Sequence, residues 1–168
     1  SQKLPSVSIL VPTYNEEKTI YNKLHNISEL NYPQNKIEVI VLDDCAIDET
    51  REIAKKAFGE LGFRGKILKN ENRMGVNASY NNGVAKANSE YILTTDADVE
   101  IHRDALRIAM KALMHFKEVG GVSARMVPVS NKNTTATTLE GAYRNFYDSM
   151  LTAESAIFST YPGYTCFA

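Results

Sequence analysis

Residues 37–44 read IEVIVLDD, a nearly unbroken apolar run that closes on two carboxylates. Such a run, with little polar alternation, suits a strand buried on both faces, the kind found in parallel sheets covered by helices. The same pattern recurs on either side. Upstream, VSILV (7–11) is another short apolar run, stopped by Pro12. Between the two, Ile20, Leu24, Ile27 and Leu30 recur at helical spacing. Asn15 is expected to cap that helix, with Glu16 and Glu17 in its first turn, and NYP (31–33) closes it. Downstream, Asp48 is expected to cap a helix that turns Ile53, Ala57 and Phe58 inward and ends near Gly59. GKILKN (65–70) reads as a shorter strand, residues 75–88 as a helix and EYILTT (90–95) as another strand. Leu106, Met110, Leu113 and Phe116 mark a further inward helical face. GGVSARMVP (120–128) reads as a fifth strand, followed by a helix from about 138 to 155. The alternation predicts an α/β fold around a mostly parallel sheet, as one domain over residues 1–168. In such sheets ligands bind beyond the carboxyl ends of the strands, where strand order reverses.

Composition narrows the function classes. With 19 Lys+Arg against 20 Asp+Glu the net charge is −1, and the longest basic run is Lys55-Lys56. No global field draws this chain to nucleic acid or to an anionic surface. A length of 168 residues is enough to bury roughly 70% of the unfolded surface. Cys45 and Cys166 lack C-x-x-C spacing and are read as free thiols of a reducing compartment. No signal peptide or run of 18 apolar residues appears, so a cytoplasmic location is expected. The aromatic ending YPGYTCFA (161–168) reads as a cut inside a folding unit, with more chain expected beyond it.

The polar residues that follow the apolar runs carry the chemistry. In YILTTDADVEI (91–101) Asp96 and Asp98 stand two apart. In extended or turn geometry their side chains point the same way and can converge on one hard cation. Mg²⁺-like ions take few protein carboxylates and fill their remaining positions with water and phosphate oxygens. A solvated turn with Asp98 capping the next helix is the plainer alternative. Asp43 and Asp44 close their own strand, where a carboxylate can accept from a ligand N–H or simply make a turn. PTYNEE (12–17) offers Tyr14 as an aromatic face beside a helix start. NENRMGVNASYNNG (70–83) adds Arg73 and a glycine, Gly75, before a helix, a combination suited to a diphosphate. The three histidines are scattered without ligand spacing.

Taken together, VSILVPTYNEE, IEVIVLDDCAIDET, GVNASYNNGVAKANSEYILTTDADV and YPGYTCFA, in this order and spacing, resemble family 2 glycosyltransferases over about residues 5–168. The resemblance implies a GT-A, Rossmann-like fold and a nucleotide-diphosphate sugar as donor, UDP- or GDP-linked. It implies that Pro12, Tyr14 and Glu16 line the nucleotide pocket and that Asp44 accepts a hydrogen bond from the base. It further implies that Arg73 contacts the pyrophosphate or base, that Asp96 meets the ribose or metal-bound water, and that Asp98 coordinates Mn²⁺ or Mg²⁺. The acceptor, whether glycan, lipid or protein, is not specified. ELNYPQNKIEVIVLDD (29–44) resembles polysaccharide-synthase-like members, which implies a longer, membrane-attached parent with this domain at the cytoplasmic face.

Departures from the family pattern are informative. The family often places Gly-Ser after the paired acids, where this chain has Cys45-Ala46. The acidic catalytic base of the family lies on a later segment, so it is expected beyond residue 168 and none is assigned. The reading is an inverting glycosyltransferase domain. Its alternatives are a donor-binding fragment without transfer activity of its own, and a haloacid-dehalogenase-like phosphatase with Asp96 as nucleophile.

Overall fold

The computed structural model of the chain describes residues 4–116, 118–124, 149 and 166–167. Four strands, β1 (Val7–Thr13), β2 (Ile37–Asp43), β3 (Gly65–Lys69) and β4 (Tyr91–Thr94), alternate with four helices. These are α1 (Ile20–Ser28), α2 (Thr50–Leu61), α3 (Val76–Lys86) and α4 (Ala105–His115). Two short strands, β5 (Val122–Ser123) and β6 (Cys166–Phe167), follow. Among the described residues they form one sheet in the order β3-β2-β1-β4-β6-β5. The first four strands run parallel, and β6 lies antiparallel between β4 and β5. The expected mostly parallel α/β sheet is therefore present.

Strand periodicity of two decides which helices cover which residues. Val7, Ile9 and Val11 join Val39 and Val41 in a core completed by Ile20, Leu24 and Ile27 of α1, Ala54 and Ala57 of α2, and Leu106 and Met110 of α4. Leu10, Ile40 and Leu42 form a second, smaller cluster with Tyr80 of α3 packed against it. Both faces of β1 and β2 are thus buried, which is why these strands read as nearly continuous apolar runs. At Gly83 of α3 an added Cβ would lie 2.9 Å from the Leu42 side chain, so this helix sits directly on the sheet.

The order of strands sets the position of the site. From β1 the chain steps outward to β2 and β3, then returns to place β4 on the other side of β1. The reversal opens a crevice at the carboxyl ends of β1 and β4, the ligand position expected of such a sheet. The opposite ends of the strands are tied by Glu38, which accepts from Ser8 Oγ (2.6 Å), Lys66 Nζ (2.9 Å) and Asn88 N–H (3.0 Å).

Several local expectations need correction. Asn15 is not a helix cap: its φ is 57° and its Oδ1 accepts the N–H of Ile47 at 3.0 Å. Helix α1 begins only at Ile20, so Glu16 and Glu17 precede its first turn. Asp48 lies one residue outside the cap of α2 but does accept the Thr50 N–H at 3.1 Å. That helix ends at Leu61, near Gly59 as expected, with Gly62 (φ 71°) as its C-cap. Phe116 leaves the inward face of α4 because the helix ends at His115, and the ring is exposed. Helix α4 starts at Ala105, so Asp98 does not cap it. Of the strand expected over 120–128, Val122–Ser123 is formed, and residues 125–128 lie outside the described residues. The helix expected from about 138 to 155 also lies outside them, apart from helical Ser149.

Candidate active site

Paired acids end β2, and the structure separates their roles. Asp43 is fully buried and turned to its own loop and helix: Oδ1 accepts from the Ala46 N–H (2.8 Å), and Oδ2 from Arg51 Nε (2.8 Å) and Nη2 (2.7 Å). Asp44 faces the loop before α3. Its Oδ1 accepts from Asn70 Nδ2 (2.9 Å) and the Met74 N–H (2.7 Å), and its Oδ2 from the Gly75 N–H (2.8 Å). Burial alone would raise the Asp44 pKa, but these three hydrogen bonds and the nearby Arg73 charge hold it below the ordinary carboxylate value. A carboxylate has about four acceptor positions, so Asp44 keeps one on Oδ2.

The loop that Asp44 fastens carries Arg73, whose guanidinium lies 3.9 Å from the centroid of the Tyr14 ring. That is a cation–π contact between the loops after β3 and β1. Tyr14 is a little over one-third exposed and stands just past the end of β1. Pro12 lies in β1 opposite Leu42, and Glu16 is fixed by its N–H donating to Thr50 Oγ1 at 2.7 Å. The loops after β1, β2 and β3 are thus linked, through Arg73 on Tyr14 and through Asp44 on Met74 and Gly75.

Asp96 and Asp98 follow β4, near enough to Glu16 of the loop after β1 for its charge to act on Asp96. Asp96 is half-buried and Asp98 exposed, just after β4. Burial and the neighbouring Asp98 charge, with a smaller contribution from Glu16, push the Asp96 pKa up, while Lys23 and Tyr80 oppose them. Crowded carboxylates of this kind accommodate a cation. Among the described residues no cluster of three or more His, Cys, Asp or Glu side chains is arranged to hold a metal ion.

Two residues near these acids were missed by sequence reasoning. Lys23 of α1, 2% exposed, donates to Thr95 Oγ1 at 2.7 Å and to the Val99 carbonyl. Burial lowers its pKa to about 8, with Asp96, Asp98 and Glu100 pulling in the opposite direction. Its signal was available: Lys23 falls on the apolar stripe of Ile20, Leu24 and Ile27, where a solvated lysine has no place. Tyr80 of α3 sets its hydroxyl beside Asp96, and burial followed by the Asp96 charge raises its pKa. Asn26 completes the support, donating to the Ile101 carbonyl (2.9 Å) and accepting the Ile101 N–H (2.8 Å).

Residues 8–165 match the family described as Glycosyl transferase family 2. This chain belongs to glycosyltransferase family 2. Within the family it is 33% identical over 135 residues to the poly(ribitol-phosphate) beta-N-acetylglucosaminyltransferase TarS of Staphylococcus aureus, covering 77% of this chain and 23% of that protein. It is 30% identical to the probable glycosyltransferase YdaM of Bacillus subtilis, covering 81% of this chain and 33% of YdaM. Among solved structures, a mannosyltransferase from Pyrobaculum calidifontis in complex with GDP-Man and Mn²⁺ superposes with a TM-score of 0.82 at 30% identity, covering 98% of this chain and 44% of that one. S. aureus TarS 1–349 in complex with UDP-GlcNAc gives 0.68 at 27% identity, covering 77% and 36%. The fold is that of GT-A enzymes. The chain spans well under half the length of these relatives. Among the described residues no helix is long and apolar enough to cross a membrane.

Proposed function

We propose that this chain is the donor-binding part of an inverting glycosyltransferase that holds a UDP- or GDP-linked sugar in the crevice between the loops after β1, β2, β3 and β4. The observation that supports the reading is the Arg73–Tyr14 contact on the loop that Asp44 fastens, together with Asp96 beside Asp98 and within reach of the Glu16 charge. The relatives with bound GDP-Man and Mn²⁺, and with UDP-GlcNAc, support it by likeness.

In this reading the Tyr14 ring faces the base, Pro12 and Glu16 shape the pocket floor, and Asp44 offers its remaining acceptor position to a base N–H. Arg73, already at the pocket mouth, neutralises diphosphate charge. Asp96 meets the ribose or metal-bound water, and Asp98 is the principal protein ligand of a divalent ion, Mn²⁺ or Mg²⁺. The crowded carboxylates fit such an ion, whose remaining ligands are water and diphosphate oxygens. When bound, the ion supplies positive charge where the leaving diphosphate develops negative charge. Transfer then forms a bond from an acceptor hydroxyl oxygen to the anomeric carbon and breaks the bond from that carbon to the diphosphate. The hydroxyl proton passes to a carboxylate base. Asp44, Asp96 and Asp98 all serve the donor side, so none of them is assigned as that base.

Calorimetric titration of UDP and of GDP, with Mn²⁺ and then with EDTA, tests the reading. The ion should tighten nucleotide binding to the wild-type chain, and Asp98→Asn should lose most of that gain. Binding indifferent to both chelator and substitution removes the metal assignment.

A further inference from the structure

The Asp96–Asp98 turn is supported from two directions by side chains outside the nucleotide site just described. From α3, the Tyr80 ring packs on Leu10, Ile40 and Leu42 and brings its hydroxyl beside the Asp96 carboxylate. From α1, Lys23 reaches the residues that bracket the turn, Thr95 before it and Val99 after it. Nothing in a GT-A sheet requires a lysine there, since the surrounding positions on α1 are apolar and fully buried. A buried ammonium needs partners, and the two it has are on the segment that carries both carboxylates.

We propose that Tyr80 and Lys23 are positioning residues that fix the Asp96 carboxylate and its turn in the arrangement that takes the divalent ion, so that the grip on a nucleotide diphosphate depends on them. This rests on the D-x-D reading above. A carboxylate that must share an ion with a mobile diphosphate gains from having its rotamer set beforehand. Tyr80 borders it at the side chain, and Lys23 ties the Thr95 hydroxyl ahead of the turn to the Val99 carbonyl behind it. Removing such a supporting hydrogen bond from an ion ligand typically lowers ion affinity 10–100-fold.

The test uses Tyr80→Phe, which keeps the ring and its packing and deletes only the hydroxyl. GDP and UDP affinities are measured by calorimetry in EDTA and in Mn²⁺, and free Mn²⁺ is followed by electron paramagnetic resonance in the presence of nucleotide. The expected result is an unchanged affinity in EDTA, an unchanged thermal midpoint, and a 10–100-fold loss of the Mn²⁺ enhancement. A residue that only packed would leave the enhancement alone, because the variant keeps the ring. Thr95→Val, which removes one Lys23 acceptor without altering any charge, should lose the enhancement in the same direction and to a smaller extent. An enhancement within twofold of wild type in both variants, or a larger one, overturns the proposal. Absence of any Mn²⁺ enhancement in the wild-type chain is a different result: it defeats the D-x-D reading itself, and this proposal with it.

Discussion

At Cys45 the backbone adopts φ 69°, a left-handed conformation that costs an ordinary L-residue roughly 1–2 kcal/mol. Family members often have glycine here, and glycine takes this conformation freely. Cys45→Gly should therefore raise stability, by about 0.5–1 kcal/mol once the added freedom of the unfolded chain is subtracted. Urea unfolding checks this, and a destabilised variant would mean that the thiol, 3.8 Å from the Glu71 carbonyl, contributes more than the strain costs. One residue earlier, Asp44 holds two backbone N–H groups and the Asn70 amide. Asp44→Ala frees the loop that presents Arg73 and removes the proposed acceptor for the base. It should weaken nucleotide binding by about 1–3 kcal/mol while leaving the Mn²⁺ dependence in place. Calorimetry with and without the ion separates the two effects. A nucleotide affinity equal to wild type would mean that the base does not bind beside Asp44.

Helix α1 shows how much one element does for the site. Its apolar stripe packs on the sheet, while Lys23 and Asn26 hold residues 95–101. Asn26→Ala leaves both polar groups of Ile101 without their partner and should destabilise the protein by about 1–3 kcal/mol. Hydrogen exchange should quicken first at the Ile101 amide. If protection there matches wild type, another group anchors this segment. Element by element, what could be read in advance follows from locality. Strands β1 and β2 were legible because burial on both faces leaves an almost uninterrupted apolar run, and α1 because its stripe repeats within nine residues. The start of α1 was not, since Asn15 gives up capping to accept from Ile47, a contact between loops 32 residues apart. Asp43 and Asp44 looked alike in sequence, and only the position of Arg51 on one side and of Asn70 on the other tells them apart. The site residues on the strand ends were recognisable as a pattern. Lys23 stood out only as a lysine on an apolar stripe, and what it and Tyr80 hold could not be read, because their neighbours Thr95, Val99 and Asp96 lie far along the chain.

At the scale of the whole molecule, the two ends of the sheet divide the work. The carboxyl ends gather the site, while the amino ends are bound together through Glu38, linking Ser8 of β1, Lys66 of β3 and Asn88 ahead of β4. Burial acts to raise the Glu38 pKa, but the hydrogen bonds from Ser8, Lys66 and Asn88 outweigh it and hold the group at about 2, against an ordinary 4.5. The folded state therefore binds this proton less readily than the unfolded chain. The resulting stability is fully present above pH 4.5 and is lost as pH falls through 2. Its size is on the order of 1–2 kcal/mol after allowing for partial solvation. Glu38→Gln should lower neutral-pH stability by that amount and flatten the decline below pH 4.5, as read from urea melts at stepped pH. An acid limb as steep as that of wild type would assign the loss to other carboxylates. The far side of the sheet has a consequence of another kind. Strand β4 takes β1 as its neighbour on one side, but on the other it waits for β6, whose residues are synthesised long after it, and β5 reaches the sheet only through β6. On the ribosome, β1 to β4 can assemble while that flank of β4 is still an open edge, able to pair with a strand of another nascent chain. The four-residue length of β4 keeps the opening short, and the arrival of Cys166 and Phe167 covers its Leu93–Thr94 half.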